Sequence, residues 1–98
     1  MIVLIATLTI KSGSAEAVIA AAKPCIDGTR AEPGCVSYDL NHSVTDPDTM
    51  VFVERWASRE AIDAHMRMPH FLAWREKAAG LILDRKIEII TPAEITSL

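Results

Sequence analysis

An α+β fold of the ferredoxin-like kind, a four-stranded antiparallel sheet with helices on one face, is predicted for this 98-residue chain by three features. Hydrophobic periodicity switches between the strand and helix repeats in the order β-α-β-β-α-α-β. Two alternating apolar runs, 35–43 and 49–57, flank a short turn cluster and read as a hairpin inserted between helical segments. Half of the residues are hydrophobic and 23% are charged, which suits one packed core and is too apolar for a disordered chain.

Residues 2–10, β-branched and almost wholly apolar, predict a central strand. Lys11 to Ser14 reads as a turn, with Ser14 as N-cap of a helix whose apolar positions Val18, Ile19, Ala22, Cys25, Ile26 and Thr29 run on to about Ala31. Pro24 lies within that pattern and predicts one bent helix. The second strand, 35–43, alternates Val36, Tyr38 and Leu40 with Ser37, Asp39 and Asn41. The third, 49–57, places Met50, Phe52, Glu54 and Trp56 on one face. If Leu40 faces Phe52 across the hairpin, Tyr38 faces Glu54. Ser58 caps a helix running from Arg59 to about Met68, Pro69 opens another that reaches Gly80, and 85–91 forms the last strand.

The chain reads as a single domain over residues 1–98. A net charge of −3 offers no footprint for nucleic acid. The two cysteines fit no CxxC motif and read as reduced, and the apolar start lacks a basic leader and the length of a membrane span, so a cytoplasmic protein without membrane attachment is expected. Helices on one face leave Val3, Ile5, Val51 and Val53 bare on the other, which predicts a homodimer stacked sheet to sheet.

No glycine-rich phosphate loop, HExxH, nucleophile elbow or zinc-ligand spacing is present, so no metal and no cofactor is expected. The chemistry concentrates instead between Tyr38 and Trp74. Glu54 shares a strand face with core residues, where a carboxylate is costly unless paired, and Tyr38 and His65 are the expected partners. His65, at the end of its helix, gains from the dipole and from a nearby Glu54, both of which favour its charged form. His70, in the first turn of the next helix, is expected to be neutral. Trp56, Phe71 and Trp74, with Phe52, could wall an apolar cleft for a flat ring, although Phe52 and Phe71 also read as core.

The string from Arg30 to Tyr38 (RAEPGCVSY), Glu54-Arg-Trp56, and Ala64 to Phe71 (AHMRMPHF) resembles the antibiotic biosynthesis monooxygenase family, from the first strand to Thr91. The resemblance implies a dimeric α/β barrel of ferredoxin-like chains that oxygenates quinol or polycyclic dihydroxy-aromatic molecules with molecular oxygen, without metal, flavin or haem. It implies pocket positions at Tyr38, Glu54, Trp56, His65, His70 and Trp74. Ala6-Thr7 and Trp74-Arg75-Glu76 stand where haem-degrading relatives carry an asparagine and a histidine, which disfavours haem. The expected chemistry has His65, Glu54 and Tyr38 as catalytic residues, with Trp56, His70, Trp74 and Phe71 binding the substrate. Two alternatives stay open. One is an isomerase of an enolisable carbonyl compound, with Arg30, Arg67 or Arg75 holding a phosphate; the other is a non-catalytic dimeric module for a small apolar ligand.

Overall fold

The computed structural model describes residues 1–98 and contains β1 (Ile2–Ile10), α1 (Ala15–Arg30), β2 (Cys35–His42), β3 (Thr49–Trp56), α2 (Arg59–His65), α3 (Pro69–Ala78) and β4 (Ile82–Ile90). All four strands pair antiparallel in the order β2-β3-β1-β4, so β1 is central as its composition predicts. Register across the sheet aligns Tyr38 with Glu54 and Leu40 with Phe52, and brings Leu4 opposite Glu54 on the other side of β3. Side-chain alternation therefore gathers Leu4, Ala6, Leu8, Met50, Phe52 and Trp56 beneath the helices, where all are buried.

Only one face of β1 is deeply buried, because the sheet is covered on one side. Val3, Ile5 and Val51 on the bare side are half-buried, while Val53 and Ile90 are exposed. That strip is apolar at its centre, with Arg55, Lys86 and Glu88 around it.

Helix α1 is continuous through Pro24, and Val18, Ala22, Cys25 and Thr29 carry its buried stripe. Ser14 occupies its N-cap, but its hydroxyl donates to the Lys11 carbonyl and leaves the helix N–H groups uncapped by a side chain. Ser58 does cap α2, accepting from the Ala61 N–H at 3.2 Å.

Helix α2 ends at His65, earlier than the predicted Met68. Pro69 excludes helical geometry from the residue before it, and Met68 is extended at φ −71 and ψ 142. β4 begins three residues before the predicted Arg85, since Ile82 pairs with Ile10 across an irregularity in the ladder that breaks the apolar alternation. No helix is long and apolar enough to cross a membrane.

Candidate active site

Helices α2 and α3 lie over the sheet without closing on β4, and the gap is a cavity of about 190 Å³. Strand residues Leu4, Ala6, Leu8 and Phe52 floor it, Phe71 and Trp74 of α3 wall one side, and Ile87 of β4 the other. Trp74 meets Phe52 edge-on with ring centroids 5.7 Å apart. Nine of the thirteen lining residues are hydrophobic, so the few ionisable groups in the wall define what the cavity can do chemically.

Glu54 is one of them. Its residue is 4% exposed, and its Oε1 accepts the indole N–H of Trp56 at 2.9 Å. Burial pushes its carboxyl up to about 7, the Trp56 hydrogen bond partly offsets this, and the negative charge of Glu32 adds to the rise. Near neutrality this group therefore exists in both protonation states.

His65 is the second. The partner expected for it, Glu54, is replaced by Glu32: His65 Nδ1 lies 2.8 Å from Glu32 Oε2, and His70 Nε2 lies 2.8 Å from the same oxygen. A carboxylate oxygen accepts, so both ring nitrogens are placed to donate to it, which assigns the His65 proton to Nδ1. Its Nε2 is left buried without any partner. Nor does His65 favour the charged form as the helix-end reading expected. The ring is buried, and burial drives its pKa below the usual histidine value, outweighing the upward pull of Glu32's hydrogen bond and charge; His70 adds to the lowering. Burial thus favours the neutral imidazole, whose Nε2 lone pair is free.

Sequence reasoning missed Glu32. It lies between α1 and β2, 33 residues from His65 and 38 from His70, just past the end of the first helix, in a stretch that entered the sequence reading only through the string RAEPGCVSY, with no role given to Glu32 itself. A carboxylate beside Pro33 and Gly34 was all that the sequence offered, and its burial and its partners appear only in the fold. Gly28 contributes as well: a β-carbon there would lie 2.7 Å from the His70 ring, so glycine lets His70 rest on α1 and reach Glu32.

The remaining predicted residues divide. Phe71 and Trp74 line the cavity. Tyr38 lines it with its ring, but its hydroxyl approaches Cys25 Sγ of α1 at 3.8 Å, and burial holds the phenol well above its usual pKa. Trp56 is fully buried and does not reach the cavity; it holds Glu54 instead. His70 stands behind Glu32, with its side chain 22% exposed. Met66, Arg75, Arg85 and Ile87, which the sequence did not single out for an aromatic ligand, complete the lining.

Glu32, His65 and His70 also offer three ligand atoms within 4.8 Å of one another, a carboxylate and two imidazoles of the kind that hold a divalent transition metal. The expectation of no metal-ligand spacing rested on sequence separation, which does not see this convergence.

A family model described as antibiotic biosynthesis monooxygenase matches residues 1–77. An uncharacterised protein of Synechocystis is 33% identical over 98 residues, 99% of this chain and 67% of that protein. Rv0793 of Mycobacterium tuberculosis, whose name proposes a monooxygenase, is 41% identical over 70 residues, 71% of this chain and 67% of its own length. The solved structure of Rv0793 superposes with a TM-score of 0.88 at 32% identity, covering 98% of both chains. The probable quinol monooxygenase YgiN of Escherichia coli is 37% identical over 46 residues, 47% of this chain and 44% of that protein.

Proposed function

Because the chain belongs to the antibiotic biosynthesis monooxygenase family, we propose that it oxygenates a small quinol or dihydroxy-aromatic molecule with molecular oxygen, its own side chains supplying the acid-base chemistry. The observation that carries this reading is the unpartnered, buried Nε2 of a neutral histidine in the wall of an apolar cavity. Cavities of roughly 150 Å³ bind benzene, so about 190 Å³ accommodates an aromatic body larger than one bare ring.

His65 Nε2 takes the proton of a substrate hydroxyl, and the positive charge that develops on the ring is stabilised through Nδ1–H by Glu32. Glu54, its Oε1 already occupied by Trp56, aids in its protonated form by donating from the other oxygen to a substrate oxygen. The electron-rich phenolate then adds oxygen at the neighbouring C–H carbon, forming a hydroperoxide. Cleavage of the O–O bond with loss of the carbon-bound hydrogen releases water and leaves a carbonyl. A dihydroxynaphthalene, C10H8O2, and O2 thus give a hydroxynaphthoquinone, C10H6O3, and one H2O. The substrate supplies all four electrons, two from the quinol and two from the C–H bond. Phe71, Trp74 and Ile87 keep water from the intermediate. His70, with its exposed edge, offers the captured proton a route out through Glu32.

The proposal includes a cytoplasmic homodimer joined through the open sheet face, since Val53 and Ile90 are exposed there beside half-buried Val3, Ile5 and Val51. The reaction is tested by giving chelator-treated protein 1,4-dihydroxynaphthalene under ¹⁸O₂. One labelled oxygen in the hydroxyquinone is expected. Unlabelled quinone accompanied by hydrogen peroxide, at the rate seen without protein, would contradict it, and turnover of an enolisable carbonyl compound without oxygen would point to isomerisation instead.

A further inference from the structure

Glu54 and His65 account for the ionisable groups at one end of the cavity, but the lining also contains two arginines, Arg75 of α3 and Arg85 of β4, which that chemistry does not use. Neither makes an ion pair, which is equally true of Arg55, Arg67 and the lysines other than Lys86; what sets Arg75 and Arg85 apart is that of all the arginines and lysines only these two line the cavity. Both are exposed, so the cost of leaving them unpaired is small and the guanidinium groups are free to turn toward a ligand.

Strand register fixes where they stand. Glu54 lies opposite Leu4 on β1, and Arg85 lies opposite Leu8 on the other side of the same strand. Four residues of β-strand separate the two levels by about 13 Å. Helix α3 runs the same way: Phe71, near its start, is 4.8 Å from the His65 ring, and Arg75 is one turn further toward the end that leads into β4. The cavity is therefore polar at both ends and apolar between, with a proton acceptor and a carboxyl at one end and two cations at the other.

We infer that Arg75 and Arg85 form an anion-binding subsite, and that the molecule this cavity takes is an aromatic hydroxy acid, its hydroxyl toward His65 and Glu54 and its carboxylate held at the far end by the two guanidiniums. This rests on the proposed reading of the cavity as the aromatic site and narrows the substrate from any quinol to one bearing an acid group across the ring system from the reacting hydroxyl. Paired planar forks suit a carboxylate, and the exposed setting makes the attraction dependent on ionic strength.

Binding of 6-hydroxy-2-naphthoate and of 2-naphthol, titrated calorimetrically in the absence of turnover, tests the assignment. The acid is expected to bind at least about 10-fold more tightly than the neutral naphthol at low salt, a margin typical of a charge-assisted pair of hydrogen bonds. In an Arg75→Gln, Arg85→Gln double variant, whose altered positions are exposed and outside the core, that margin should vanish while 2-naphthol binds as before. Equal affinities in the unaltered protein, or a margin that survives the double substitution, would overturn the subsite and leave the aromatic cavity standing. Failure of both compounds to bind would overturn the aromatic reading itself and the subsite with it.

Discussion

A single carboxylate oxygen organises the site. Glu32 Oε2 takes hydrogen bonds from two histidines that follow α1 by more than thirty residues, and in doing so decides which nitrogen of His65 stays free. Glu54 has the opposite circumstance: one neutral donor, Trp56, and burial that the donor does not offset. Because its folded-state pKa of about 7 lies above the ordinary 4.5, the folded chain holds this proton more tightly than the unfolded chain. Between about pH 4.5 and 7 the folded state therefore binds more protons, and stability falls as pH rises, the loss being complete above pH 7. Glu54→Gln keeps an oxygen for Trp56 and removes the ionisation, so its stability relative to the unaltered chain should rise by roughly 3 kcal/mol between pH 4.5 and 8. Urea denaturation at both pH values measures this. A difference that does not change with pH would show that Glu54 titrates as an exposed carboxylate does.

At the scale of the elements, what was legible in the sequence followed from periodicity. Alternation in the two hairpin strands put Tyr38 and Glu54 on the helix-facing side; that they pair followed only from assuming Leu40 opposite Phe52, a register the ladder adopts, with an irregularity between Cys35 and Ser37 that alternation did not foretell. The partner of His65 was not legible. Three segments that no local pattern connects, the loop after α1, the end of α2 and the start of α3, meet only once α1 crosses the sheet and the α2–α3 corner settles on it. Arg85 was hidden for a related reason: it reads as an exposed strand residue, and its place in the cavity wall follows from β4 being left uncovered by α3. The bare side of the sheet makes its own prediction. The chain should have the mass of two 10.7 kDa copies by light scattering, and Val53→Lys, which places a charge opposite Ile5 in the apolar strip, should reduce it to that of one. A monomer before substitution would remove the open face as the association surface.

In the whole molecule the sheet has a different task on each side. One side carries an apolar strip without helices; the other supports a cavity whose floor is β1 and β3, with Glu54 of β3 and His65 of α2 in its wall and Glu32 of the α1–β2 loop hydrogen-bonded to His65. The fold class and element order were legible because each strand and helix announces itself locally. The site was half legible, since Glu54 stands out as a carboxylate on a core strand face, His65 as a histidine at a helix end and Arg75 as a candidate to hold an anion, while Glu32 and Arg85 acquire meaning only from contacts distant in sequence. All of the proposed chemistry passes through His65 Nε2. Oxygen uptake with 1,4-dihydroxynaphthalene, corrected for the reaction without protein, should fall by about 10² to 10⁴ in a folded His65→Ala variant. Uptake equal to that of the unaltered protein would show that the histidine takes no proton from the substrate and that the cavity works by other means.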